Sequence, residues 1–84
     1  MNVEIKISTR NEITALPRVL RIILRQGFAL RRLVMQPIDD ESKLEFFVSV
    51  ECAEPPVRLV KLLQKQILVL SVEVRQENIA MNVV

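Results

Sequence analysis

Residues 8–27, STRNEITALPRVLRIILRQG, decide the fold. They read as the exit of a strand, a short polar loop and an amphipathic helix closed by the chain's single glycine. Leu16, Val19, Leu20, Ile23 and Leu24 recur at three-to-four spacing, which makes one helical stripe. Arg18, Arg21 and Arg25 gather on the opposite side. Ile22 sits at the border beside Val19 and widens the apolar arc beyond what one sheet needs. Thr14 stands where the helix begins, and a side-chain oxygen there can accept from an orphan backbone N–H. Pro17 falls in the first turn, where a missing N–H costs little. Gly27 is placed to close the helix in the left-handed conformation. A helix start facing an irregular loop leaves backbone donors free to hold a small carboxylate, so a small-molecule site is sought here first.

Upstream of this stretch, Val3, Ile5 and Ile7 alternate with Glu4, Lys6 and Ser8, a strand with one buried face, and residues 9–13 follow as a loop. Downstream, residues 28–37 form a second strand with Leu30, Leu33, Val34 and Met35 as its apolar members. Its alternation is imperfect, which predicts a bulge or burial on both sides. IDDESK, residues 38–43, is the clearest turn in the chain. Leu44, Phe46, Val48 and Val50 then alternate with Glu45, Phe47, Ser49 and Glu51 as a hairpin partner. Pro55 and Pro56 open a second helix, with Glu54 ahead of them suiting a helix N-terminus. Pro56, Leu59, Val60, Leu63 and Ile67 form its buried stripe, and Arg58, Lys61 and Lys65 face out. Leu70, Val72 and Val74 alternate with Ser71, Glu73 and Arg75 as a last strand. The tail, residues 78–84, is apolar without turn signals and receives no assignment.

The order strand, helix, strand, strand, helix, strand is that of an α+β, ferredoxin-like βαββαβ sandwich: a four-stranded antiparallel sheet with two helices on one face. One domain is expected over residues 1–77, since 84 residues supply a single core. Right-handed crossovers place the first and third strands in the centre. The second strand becomes an edge, and an apolar, imperfectly alternating edge invites another chain to pair. A homodimer is expected, with Val19, Ile22, Leu30, Leu33 and Met35 as its contacts, because together they exceed what one core absorbs.

Composition narrows the chemistry. Half the residues are apolar, and 12 basic against 10 acidic side chains give a net charge of only +2, weak support for a nucleic-acid partner. The lone Cys52 excludes an internal disulfide, points to a reducing compartment and reads as a small buried strand residue. No apolar run approaches the ~18 residues of a membrane span, and MNVEIKIS is unlike a signal peptide. A soluble, cytoplasmic protein is expected. With no histidine there is no imidazole base or His-based metal site, and one cysteine supplies no thiolate pair. The single glycine excludes Gly-rich phosphate loops. Asp39, Asp40 and Glu41 read as a solvated turn. The expectation is a non-catalytic chain.

RNA-binding members of this topology stack bases on central-strand aromatics. Here the open face offers Phe47 among Glu4, Lys6, Glu45, Ser49 and Glu51, a poor platform. Arg10, Arg18, Arg21, Arg25, Arg31 and Arg32 read mostly as a solvated helix face and a basic edge; Arg31 or Arg32 could also pair with an acidic partner surface.

NEITALPRVLRIILRQGFALRRL (residues 11–33) and LLQKQILVLSVEV (residues 62–74), in this order of elements, resemble an ACT domain. More narrowly, the chain resembles the short, valine-insensitive isozyme II type of acetolactate synthase (acetohydroxyacid synthase) regulatory subunit. The likeness runs from about residue 3 to residue 74 and rests mainly on RVLRIILRQGF and on residues 63–72. It implies a chain that activates a thiamine-diphosphate-dependent catalytic subunit, which condenses pyruvate with pyruvate or 2-oxobutyrate in branched-chain amino acid biosynthesis. Thiamine diphosphate, magnesium and FAD would belong to that partner and no cofactor to this chain. In feedback-sensitive relatives valine lies at the dimer interface, between the first loop and helix of one chain and the second strand of the other. That loop maps onto Asn11, Glu12, Ile13, Thr14, Ala15 and Leu16. Asn11, Ala15 and Leu16 fit the valine-binding pattern. Thr14 replaces a glycine that lets backbone N–H groups approach a carboxylate, and Ala29 replaces an asparagine. The resemblance therefore implies a degenerate valine site. Longer relatives add a C-terminal domain, and this chain is expected to act without one. A stand-alone amino-acid-sensing ACT domain serving another enzyme or regulator is the alternative.

Overall fold

The computed structural model describes residues 2–76; the tail at residues 78–84 lies outside the described residues. The elements are β1 (Asn2–Arg10), α1 (Ala15–Arg25), β2 (Ala29–Ile38), β3 (Lys43–Glu51), α2 (Val57–Gln64) and β4 (Val69–Gln76). They form one antiparallel sheet in the order β2-β3-β1-β4, so β1 and β3 are central, as the crossover argument requires, and β2 and β4 are edges.

Period-two patterning explains the central strands. Val3, Ile5, Ile7 and Thr9 of β1 and Leu44, Phe46, Val48 and Val50 of β3 are buried, and their neighbours are half-buried on the open face. Ile5 lies opposite Val48 on one side and Val74 on the other; Ile7 lies between Phe46 and Val72. Ala15, Val19 and Ile23 of α1, Leu59 and Leu63 of α2, and Leu68 close this core from the helix side. The expected loop at residues 9–13 starts later: Thr9 and Arg10 pair with β3, and the fully buried Thr9 donates from Oγ1 to the Arg10 carbonyl (2.9 Å).

Both edges carry a bulge. In β2 the register slips at Arg31, between Leu30 and Arg32, so of the two readings its imperfect alternation left open the bulge is present. In β4 it slips at Leu70, because Ser8 faces Ser71 while Thr9 faces Val69. Leu70 is therefore half exposed (49%), and Leu68 supplies the buried side chain that the alternation assigned to Leu70. Ile67 is also displaced from its expected stripe: α2 stops at Gln64, and Ile67 stands 88% exposed in the connection to β4. Cys52 lies just past β3, half-buried against the core.

The ends of α1 divide. Gly27 closes it with φ +78°, its N–H donating to the Leu24 carbonyl (3.1 Å). Thr14 makes no side-chain cap, and its backbone is already helical (φ −86°, ψ −4°) and not in the extended conformation of a capping residue. The Glu12 carbonyl instead accepts the Ala15 N–H (3.0 Å). The β2–β3 turn puts Asp39, Asp40 and Glu41 in succession at positive φ, held by the Ser42 N–H and Oγ donating to the Asp39 carbonyl (3.0 and 2.8 Å).

Candidate functional site

Residues 11–16 join the C-terminal end of β1 to α1. Asn11 anchors them to the β2–β3 turn: its N–H donates to the Ser42 carbonyl (3.2 Å) and its Nδ2 to the Glu41 carbonyl (2.7 Å). Glu12 folds back on Arg10 (3.2 Å). Ala15 is spent entirely in the core, and Leu16 packs half-buried against it. Ile13 is 96% exposed, an apolar side chain of that size presented wholly to solvent. The N–H groups of Ile13 and Thr14 make no hydrogen bond within the described residues, so the loop offers donors and an apolar tip together.

Ala29 lies elsewhere. It opens β2 opposite Glu51, which in turn faces Asn2, so it stands where β1 begins. The loop leaves from the other end, where Arg10 faces Lys43 and Lys43 faces Ile38. One chain therefore brings residues 11–16 together and holds Ala29 a full strand length away.

The five residues expected at a dimer contact separate by burial. Val19 is 1% exposed inside its own core, which leaves it no surface to offer a partner. Ile22, Leu30 and Leu33 are half-buried against that core, and Met35 is 42% exposed. The apolar surplus on α1 is instead a second stripe, Pro17, Leu20 and Leu24 at three-to-four spacing, continuing the line of Ile13. Leu24, assigned from its spacing to the core stripe, is 54% exposed. The width of the apolar arc was the available signal; its division between core and surface was not in the spacing.

Charge at the site is local. Arg31, pushed out by the β2 bulge, grips the Glu51 carboxylate through Nε (2.8 Å) and Nη2. That hydrogen bond and charge lower the Glu51 pKa below the ordinary carboxylate value. The acidic partner of Arg31 thus lies in its own chain. On the open face Arg32, Val34, Gln36, Glu4, Phe47 and Ser49 line a shallow hollow of 220 Å³, beside a Lys6–Glu45 pair (3.4 Å). One aromatic with this mixed-charge rim gives no base-stacking surface. Among the described residues no cluster of three or more His, Cys, Asp or Glu is arranged around a metal position, and no helix is long and apolar enough to cross a membrane.

The sequence matches no protein-family model and no curated protein. Solved structures do match. The ACT domain of a GTP pyrophosphokinase from Chlorobium tepidum superposes with a TM-score of 0.78 at 14% identity, covering 89% of this chain and 97% of that one. The C-terminal domain of the MgtC protein from Mycobacterium tuberculosis gives 0.72 at 17% identity, over 90% and 86% of the two chains. A formyltetrahydrofolate deformylase from Pseudomonas putida gives 0.76 at 7% identity, over 92% of this chain but 29% of the enzyme. The fold is thus the ACT-type, ferredoxin-like sandwich.

Proposed function

We propose that this chain is a non-catalytic ACT regulatory subunit, and specifically the activating small subunit of an acetolactate synthase in branched-chain amino acid biosynthesis. The observation that supports the regulatory reading is the placement of an open donor loop at one end of the sheet and Ala29 at the other; in the proposed homodimer the two come together across β2. The free β2 edge, with Met35 beside it and Leu20 and Leu24 on α1, supplies a surface for that homodimer. The narrower reading rests on the resemblance of residues 11–33 and 62–74. On this reading the protein is cytoplasmic, carries no cofactor, and docks on a catalytic chain that holds thiamine diphosphate, magnesium and FAD.

The effector site in this reading is degenerate. A hydrogen bond to a charged group contributes ~1.5–3 kcal/mol, so an alanine at position 29 in place of a polar side chain weakens a modest ligand by about one to two orders of magnitude. Adding the pure chain to purified acetolactate synthase catalytic subunit tests the proposal: acetolactate formation rises if it holds, and unchanged activity at saturating chain refutes it. The unpartnered N–H groups of Ile13 and Thr14 favour a second reading, an amino-acid-sensing ACT domain serving another enzyme or regulator. Micromolar valine binding in isothermal titration, without activation of the catalytic chain, would select it.

A further inference from the structure

The face of the sheet turned away from the helices is rich in charge, and its ion pairs are made within the chain. Lys6 pairs with Glu45 (3.4 Å), Arg75 with Glu73 (3.3 Å) and Glu51 with Arg31. At the far end Arg10 and Lys43 reach Glu12 and Asp39 (both 3.2 Å). Two charged side chains of this face are left over. Glu4 on β1 and Arg32 on β2 make neither an ion pair nor a side-chain hydrogen bond among the described residues. They share one row of the sheet, because both stand opposite Ser49, one on either side of β3. Two strand spacings, about 10 Å, therefore separate their backbones, and both line the 220 Å³ hollow beside Phe47. Arg75, the neighbour of Glu4 on its other side, is already held by Glu73.

An unmatched anion and an unmatched cation at equal distances from a central strand are complementary to themselves. A two-fold axis lying over the face along β3 sets β2 of one copy above β1 of the other, and the reverse, without shifting the row. Arg32 of each copy then stands over Glu4 of the other, and Phe47 meets its counterpart at the axis. Sheets packed face to face lie about 10 Å apart, a gap that an arginine and a glutamate bridge end to end. Val34 and Lys6 both stand opposite Phe47, so Val34 of one copy covers the aliphatic stem of the other's Lys6. The axis also brings Glu45 and Glu51 towards their own counterparts, and these are carboxylates already neutralised within the chain. A partner of one charge sign, such as a nucleic acid or an acidic segment, would satisfy one of the two leftover side chains and repel the other. We propose that the open face is a second self-association surface, on which two copies pair through reciprocal Arg32–Glu4 contacts around Phe47. This goes beyond the regulatory reading and does not depend on it. The face is polar, so the pairing acts above the concentration at which β2 edges meet. The two contacts use different axes, so where both act the assembly grows past a dimer.

Charge exchange tests it, by sedimentation equilibrium of the full chain in a Met35→Lys background that removes the β2 contact. Glu4→Arg sets four cations at the contact and Arg32→Glu sets four anions. Each should weaken self-association by about tenfold or more, with circular dichroism unchanged. An equal mixture of the two variants should associate as the parent chain does, and so should one chain carrying both substitutions. In the unsubstituted chain, diluting a concentrated sample should move 15N amide signals of residues 4, 32, 34, 47 and 49, a readout that needs no variant to fold. Single variants that associate like the parent, a mixture that stays dissociated, or dilution shifts confined to other residues would each overturn the proposal. So would shifts on this face that arise only when the acetolactate synthase catalytic subunit is added, which would make that chain the occupant. Charge-dependent pairing without activation of the catalytic subunit would leave this surface standing and refute the subunit reading; activation without charge-dependent pairing would do the reverse.

Discussion

In the proposed degenerate effector site, Thr14 and Ala29 are the side chains that decide the ligand question. Thr14 already has helical backbone angles, so glycine there relieves crowding at the loop and no strained φ. Changing Thr14→Gly together with Ala29→Asn should raise valine affinity by about one to two orders of magnitude; isothermal titration showing no change would contradict the degenerate-site account. Gly27 is a different case, because its φ of +78° demands glycine while a Cβ there would meet nothing within 4 Å. Gly27→Ala should therefore cost only the backbone penalty, about 1–2 kcal/mol in urea unfolding. Arg31 and Glu51 make the pH prediction. Glu51 has a lowered pKa in the folded chain, so its contribution is complete above the ordinary carboxylate range and disappears as pH falls through the lowered value. Arg31→Ala should return the Glu51 carboxyl towards its ordinary pKa in NMR titration. The stability gap between the two proteins should be present at neutral pH and close in acid.

At the scale of elements, adjacent residues of α1 do opposite work. Ile23 is fully buried and Leu24 is 54% exposed. Ile23→Ala should cost about 2–5 kcal/mol of stability, whereas Leu24→Ala should leave unfolding nearly unchanged and weaken self-association. Comparable losses from both would contradict the two-stripe description. This contrast also marks the reach of the sequence. Element order, the left-handed Gly27 and the β2 irregularity follow from local periodicity and turn chemistry, and the central pairing of β1 with β3 from the handedness of the crossovers. Leu70, Ile67 and Leu24 do not, because a bulge, an early helix stop and the shape of the sheet decide which apolar side chains find cover. Thr14 misleads for a related reason: cap residue type is local, but the Glu12 carbonyl had already closed the turn.

For the whole molecule, the candidate site is the less legible part, since Ala29 and the loop at residues 11–16 share no end of the sheet in one chain and meet only in the proposed dimer. Among the described residues the sheet is bordered by β2 and β4, and no cluster of three or more His, Cys, Asp or Glu stands around a metal position. The proposed regulatory role places the domain's work in contact with other chains, through those borders. Sedimentation equilibrium of the pure chain, with hydrogen exchange read along β2, tests this most directly. The account predicts a dimer at micromolar concentration, with β2 amides protected in the dimer and released by Met35→Lys as the chain becomes monomeric. A monomer at high concentration, or a dimer that leaves β2 amides unprotected, would contradict it.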